Sequence, residues 1–179
     1  HAFSMTPQPD NNKPWGDPVQ TKLPSTCRLA LQNINGIRAQ DEFSDAHTIG
    51  ESIQLLEIDI LGMTEMNLDW NNPTTRNKVN QILCRYNNKS VLSMNSEDIY
   101  CRREYLPGGT ATWIGSPWHG RATRGGDPTE MGRWSEIMIK GKHKNSITVI
   151  TAYHVPQASL DSSRPMTSFR RQWICLRNR

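Results

Sequence analysis

The run Ile58-Asp59-Ile60-Leu61-Gly62-Met63-Thr64 constrains the fold more than any other stretch of this chain. It is short and nearly continuously apolar, as expected of a strand covered on both faces, since a half-solvated strand would alternate. Such a strand has to lie inside a layered protein, with other elements packed above and below it.

The flanking sequence supplies candidates for those layers. Arg28 to Ile34 reads as a strand that Gly36 ends with a turn. Ser44 or Asp45 can cap a helix over 45–57, where Ile49, Ile53 and Leu56 approximate a 3.6-residue period. A second helix is predicted over 74–86, with Val79, Ile82, Leu83 and Tyr86 facing inward, and a strand over Lys89 to Met94. Gly108-Gly109 opens a strand from Thr110 to Ile114. Two more, Trp134 to Lys140 and Ile147 to Tyr153, are joined by a turn from Gly141 to Asn145. Between them, 115–132 reads as a loop carrying Gly and Arg. Thr167 to Arg177 is predicted helical, with Phe169, Trp173 and Leu176 on one stripe. Strand–helix–strand units followed by adjacent strands indicate an α/β protein with a mixed sheet or sheets.

The chain of 179 residues suffices for one domain with a real core. Residues 1–26 carry Pro7, Pro9, Pro14, Pro18 and Pro24 among polar side chains. They are expected to form a flexible leader, with the domain over 27–179. No run approaches the eighteen or so apolar residues that span a bilayer. The chain starts at His1 with no signal-peptide pattern, which places its start inside a longer reading frame or after a cut. Cys27, Cys84, Cys101 and Cys175 are too scattered for a zinc site and read as reduced thiols of an intracellular protein, nuclear or cytoplasmic and not secreted. Through residue 145, sixteen basic side chains balance sixteen acidic ones. The net charge of +4 therefore lies entirely in 146–179, and permits contact with phosphates without marking a dedicated nucleic-acid module.

Three polar groups fall where strands end. Asn33-Ile34-Asn35-Gly36-Ile37-Arg38 is one, although Asn and Gly favour turns by themselves. Thr64-Glu65-Met66-Asn67 is the second. A carboxylate closing a buried strand is costly unless solvated or paired, and Mg²⁺ needs only one or two carboxylates beside water and phosphate oxygens. The third runs from Thr148 to Pro156 through Tyr153 and His154. There the Tyr is either a rim packing residue or a phosphate contact, and the lone His is more often structural. Gly125-Gly126-Asp127 lacks the helix and Lys of a phosphate-cradling loop.

In order and approximate spacing the three resemble one family. Asn33-Ile34-Asn35-Gly36-Ile37-Arg38-Ala39 is similar to the opening motif of the exonuclease III and AP-endonuclease branch of the endonuclease/exonuclease/phosphatase superfamily. Asp59 to Glu65 resembles its second motif, a strand ending in the metal-binding Glu. Gly108-Gly109 before a strand, and Ile147 to Pro156, also match. Asn67-Leu68-Asp69-Trp70 and the Thr167-to-Trp173 helix look closest to endonuclease domains of non-LTR retrotransposons.

The resemblance covers about 27–179 and implies a four-layer α/β/β/α sandwich with mixed sheets, of which the chain holds the N-terminal part. It implies that Glu65 ligates Mg²⁺ (with Mn²⁺ as a substitute) and that Asn33 supports the metal or its water. Asn35 would orient the water shell or a phosphate oxygen, and Tyr153 would hydrogen-bond the scissile phosphate. The partner would be DNA, held by its phosphate backbone, with no membrane involved. Arg121, Arg124 and Arg133 in the 115–132 region and just beyond are candidate backbone contacts, against the plainer reading of a solvated loop. The family's later Asp-x-Asn and Asp-His motifs do not occur after Tyr153. The expected function is a Mg²⁺-dependent phosphodiesterase that nicks target or abasic DNA, of retroelement origin, incomplete in these residues. The alternatives are a repair-type AP endonuclease and an inactive remnant or binding module.

Overall fold

In a computed structural model, residues 20–86, 91–95, 108–125 and 132–153 are described. The elements are β1 (Leu29–Asn33), α1 (Ser44–Leu55), β2 (Ile60–Thr64), α2 (Pro73–Tyr86), β3 (Val91–Asn95) and β4 (Thr110–Ile114). A 3₁₀ turn (His119–Arg121), β5 (Ala122–Gly125), β6 (Trp134–Lys140) and β7 (Ser146–Ala152) follow. Four strands form one sheet in the order β1-β2-β4-β3, and three form a second in the order β5-β6-β7. β1 and β2 are parallel, as a strand–helix–strand unit requires, and every other pair is antiparallel.

All five β2 residues and all five β4 residues are buried, so the centre of the first sheet is covered on both faces. Alternation sorts their side chains. Leu61 and Met63 of β2, with Ala111 and Trp113 of β4, join the larger core beneath the helices, to which α1 contributes Ala46, Ile49 and Ile53 and α2 Val79, Ile82 and Leu83. Burying one such Ile or Leu contributes about 1.5–3 kcal/mol. The opposite positions, Ile60 and Ile114, meet Ile137 and Ile139 of β6 and Val149 of β7. The described residues thus form helices, first sheet and second sheet in layers. β7 packs across β2 and β4, β6 across β4 and β3, and β5 against β3. Within the described residues no strand of the second sheet lies over β1, and Leu29 and Leu31 on that face are 58% and 67% exposed.

At the Asp59 end of β2 the carboxylate is 3% exposed. Lys22 pairs with it at 2.7 Å, and the Arg28 backbone N–H donates to it at 2.6 Å. That satisfies a charge which would otherwise be expensive to bury.

Two expectations are corrected. Neither Ser44 nor Asp45 caps α1: the cap position is Phe43, in the left-handed region at φ 61°, with no side-chain hydrogen bond. Asp45 instead accepts from Arg38. The loop expected over 115–132 contains β5 and a 3₁₀ turn, because β6 has an edge for a short strand to pair with. The predicted helix from Thr167 to Arg177 lies outside the described residues. No helix among the described residues is long and apolar enough to cross a membrane.

Candidate functional site

The parallel pairing of β1 with β2 aligns Asn33 with Thr64, so both strands end at the same level. The chain beyond each stays paired. Ile34 N–H donates to Thr64 O at 2.9 Å, Gly36 N–H to Glu65 O at 2.7 Å and Ile37 N–H to Met66 O at 3.0 Å. On the other side, Met66 N–H donates to Gly109 O at 3.4 Å and Asn67 N–H to Gly108 O at 2.8 Å. Glu65 therefore sits between the Asn33-to-Arg38 turn and the Gly108-Gly109 entry into β4.

Glu65 has φ 53°, a left-handed conformation that costs a residue with a Cβ about 1–2 kcal/mol. Among the described residues no side chain donates to its half-buried carboxylate. A carboxylate held in a strained backbone, with no described side chain donating to it, is a suitable hard oxygen donor for a divalent cation. No group of three or more His, Cys, Asp or Glu that could hold a metal ion occurs among the described residues.

Asn33 Oδ1 accepts the Asn35 N–H at 3.0 Å, and Asn35 takes φ 55°. Both side chains are exposed at the rim. The turn-forming role of the Asn33 side chain is thus realised. Arg38 holds Asp45 at 2.9 and 3.0 Å. These bonds keep the Asp45 carboxyl below its ordinary range.

Asn67 belongs to the polar group that the sequence singles out after β2, but the sequence assigns it no role. It is 8% exposed and in the left-handed region at φ 54°. Its Oδ1 accepts the Gly108 N–H at 2.8 Å. A Cβ placed on Gly36 (φ +95°) would sit 3.1 Å from its Nδ2. One buried amide therefore lies against both loops that flank Glu65. The only sequence signal is an Asn two residues after the Glu, since Asn tolerates left-handed backbone.

Tyr153 extends the β6–β7 ladder, its N–H donating to Arg133 O at 2.8 Å. Thr151 points inward, so alternation puts Tyr153 on the inner side too, one pleat further along. That pleat corresponds to Thr64 and Thr110, since Thr110 Oγ1 donates to Gly132 O at 3.3 Å. Glu65, Asn33, Tyr153 and Arg133 thus gather at one end of the two sheets. Arg124 lies on β5. Arg121 lies at the opposite end, its guanidinium 5.3 Å over the Trp118 ring, where Gly115 N–H donates to Asp59 O. His154 lies outside the described residues.

No protein-family model matches the chain, and no curated protein matches it in sequence. Solved structures do match. An AP endonuclease from Leishmania major aligns over 80% of this chain and 43% of its own, at 15% identity and a TM-score of 0.52. An endonuclease/exonuclease/phosphatase family protein from Leptotrichia buccalis aligns over 83% of this chain and 62% of its own, at 11% identity and a TM-score of 0.51. The chain therefore has the α/β sandwich fold of these proteins and spans 43% of the length of the first and 62% of the second.

Proposed function

We propose that these residues form the metal-binding side of a Mg²⁺-dependent phosphodiesterase site that acts on DNA. The observation that carries this reading is the Glu65 carboxylate just beyond β2, to which no described side chain donates, beside the end of β1 at Asn33. Likeness of fold to an AP endonuclease supports it.

In this reading Glu65 holds the cation and the Asn33 amide donates to a metal-bound water or a phosphate oxygen. Asn35 orients the same water shell. The Tyr153 hydroxyl donates to a non-bridging oxygen of the scissile phosphate, from the second sheet. A bound Mg²⁺ supplies neutralisation of the charge that develops on phosphorus-bound oxygens. Arg133 at the mouth and Arg124 on β5 hold the DNA backbone by charge, which positions it without reading its sequence. The reading assigns metal capture and phosphate orientation to these side chains. Activation of water is left unassigned, because the Asp-x-Asn and Asp-His patterns do not occur after Tyr153.

The resemblance of Asn67-Leu68-Asp69-Trp70 and of the Thr167-to-Trp173 sequence to non-LTR retrotransposon endonuclease domains favours a retroelement endonuclease over a repair enzyme. The test is nicking of supercoiled and abasic plasmid DNA by the full-length protein, in Mg²⁺ or EDTA, for wild type and Glu65→Ala. Nicking that needs both Mg²⁺ and Glu65 is the expected result. Mg²⁺-dependent nicking that survives Glu65→Ala would discard the site. DNA binding without nicking would make the fold a binding module.

A further inference from the structure

The gap between the sheets contains a polar contact that an apolar sandwich does not need. Thr112 of β4 is 0% exposed, as is Ser135 of β6, and Thr151 of β7 is 3% exposed. Thr112 Oγ1 lies 2.8 Å from Ser135 Oγ and 2.7 Å from Thr151 Oγ1, and 3.2 Å from the Ser135 carbonyl. A hydroxyl has one proton and two lone pairs, so Thr112 donates along one of these contacts and accepts along another. It is the hub: each of the other hydroxyls reaches it.

The hub lies between paired positions on both sheets. Thr112 pairs with Gly62 on β2, and Ser135 pairs with Thr151 across β6 and β7. Gly62 lets the sheets approach here, since a Cβ on it would lie 2.6 Å from Thr151 Oγ1. Apolar side chains select a register through shape alone, whereas hydroxyls add a directional requirement. Hydroxyls at 2.7–2.8 Å are directional and, once buried, costly to leave unpaired, so they select one.

Two residues beyond Gly62's neighbour Met63 stands Glu65, and two beyond Thr151 stands Tyr153. These two candidate groups come from different sheets, and between Thr112 and the mouth only the Thr64–Thr110 pleat intervenes. We propose that Thr112 is a positioning residue: its hydroxyl, through Thr151 and Ser135, fixes where Tyr153 stands relative to the Glu65 metal site. The role in catalysis rests on the function proposed above, whereas the lock itself does not. Thr112 touches no substrate and acts only through β7. Metal capture, which uses the first sheet alone, is independent of it. Displacement of an orienting group by about 1 Å lowers turnover by up to about a hundredfold.

The test compares Thr112→Val, which keeps shape and removes the hydroxyl, with Thr112→Ser, which keeps the hydroxyl, in the full-length protein. One measurement needs no activity: amide hydrogen exchange at Tyr153 and the NMR signals of its ring. Thr112→Val is expected to speed exchange at the Tyr153 amide by about tenfold or more and to shift the ring signals, while signals of Asn33 and Glu65 stay in place. Thr112→Ser restores wild-type behaviour. Should Thr112→Val fail to fold, Ser135→Ala removes one arm of the lock and is read in the same way. The second measurement is Mg²⁺-dependent nicking. Thr112→Val lowers kcat by about tenfold or more with Mg²⁺ affinity and the KM for DNA unchanged, and Tyr153→Phe added to it causes no further loss. Wild-type exchange and ring signals in Thr112→Val, or Thr112→Ser behaving like Thr112→Val, would overturn the proposal. Absence of nicking in the wild type would overturn the proposed function and with it the catalytic role, leaving the exchange measurement to decide the lock.

Discussion

Asn67 Oδ1 accepts the backbone N–H of Gly108 at 2.8 Å, and the same residue's N–H donates to Gly108 O at 2.8 Å. This two-way clasp ties the segment after Glu65 to the start of β4. Asn67→Gly keeps the left-handed backbone but leaves the Gly108 N–H without its acceptor, and should cost about 1–3 kcal/mol in urea unfolding. Asn67→Ala loses the same bond and adds strain at φ 54°, so it should cost about 1 kcal/mol more than Asn67→Gly. Equal stability of the two variants would show that the left-handed conformation is not what Asn67 supplies.

Gly62 is set by its neighbour across the sheet gap. An added methyl would meet Thr151 Oγ1 at 2.6 Å and Leu31 Cδ1 at 2.9 Å. Leu31 is exposed and can move, whereas Thr151 is buried and bonded to Thr112. Gly62→Ala should therefore lose about 1–3 kcal/mol by overpacking. In combination with Thr151→Ala the loss should be smaller than the sum of the two single losses, because the second change removes the obstacle. Strict additivity in thermal unfolding would mean that the sheets are not in contact at this point.

The same contacts explain what the sequence made legible and what it did not. β2 and the layers around it follow from one apolar run, because a strand buried on both faces has a pattern of its own. Glu65 was visible as a carboxylate ending that run. Tyr153 was visible as the end of an apolar strand, and Asn33 and Asn35 as turn residues, though only the fold puts them at one end. β5 was not visible: Ala122 to Gly125 is short, carries an Arg, and exists as a strand because β6 offers an edge to it. The α1 cap was misjudged for a similar reason. Asp45 has the chemistry of a cap, but Arg38 stands seven residues upstream and takes its carboxylate. The Asn67 clasp joins residues forty-one positions apart, and no local pattern encodes such a bond.

Asp45 gives a pH signature of the turn. Its carboxyl is held below the ordinary value of 3.8 first by side-chain hydrogen bonds from Arg38 and then by the Arg38 backbone N–H. A depressed carboxylate stabilises the folded state above its unfolded pKa, and that contribution is lost as pH falls through the folded value. Asp45→Asn should thus be slightly less stable than wild type at pH 7, the effect being small because the pair is largely solvated. The difference should shrink below about pH 4 and vanish once Asp45 is protonated. A stability difference that stays constant from pH 7 down to pH 2 would mean that the charge of Asp45 contributes nothing.

Glu65 combines backbone strain with a carboxylate that no described side chain neutralises, so stability and function should pull apart there. Glu65→Gly removes the Cβ that makes φ 53° unfavourable and the charge that no described side chain offsets. Gly also frees the unfolded chain, which offsets part of that gain. The variant should equal or exceed wild-type stability in the absence of metal, by up to about 1 kcal/mol. Adding Mg²⁺ then separates the two proteins. Wild type gains stability as the ion binds the folded state alone, by about 2.7 kcal/mol at a free metal concentration one hundred times Kd. Glu65→Gly should gain nothing. Glu65→Ala serves as the control, since it removes the carboxylate and keeps the strain: it should fall below Glu65→Gly in EDTA and match it in its indifference to Mg²⁺. Melting curves of the three proteins in EDTA and in rising Mg²⁺ read all of this without any DNA. An equal Mg²⁺ response in all three would place the ion elsewhere, and a large loss of stability in Glu65→Gly would mean that the carboxylate holds the fold together and does not wait for a metal.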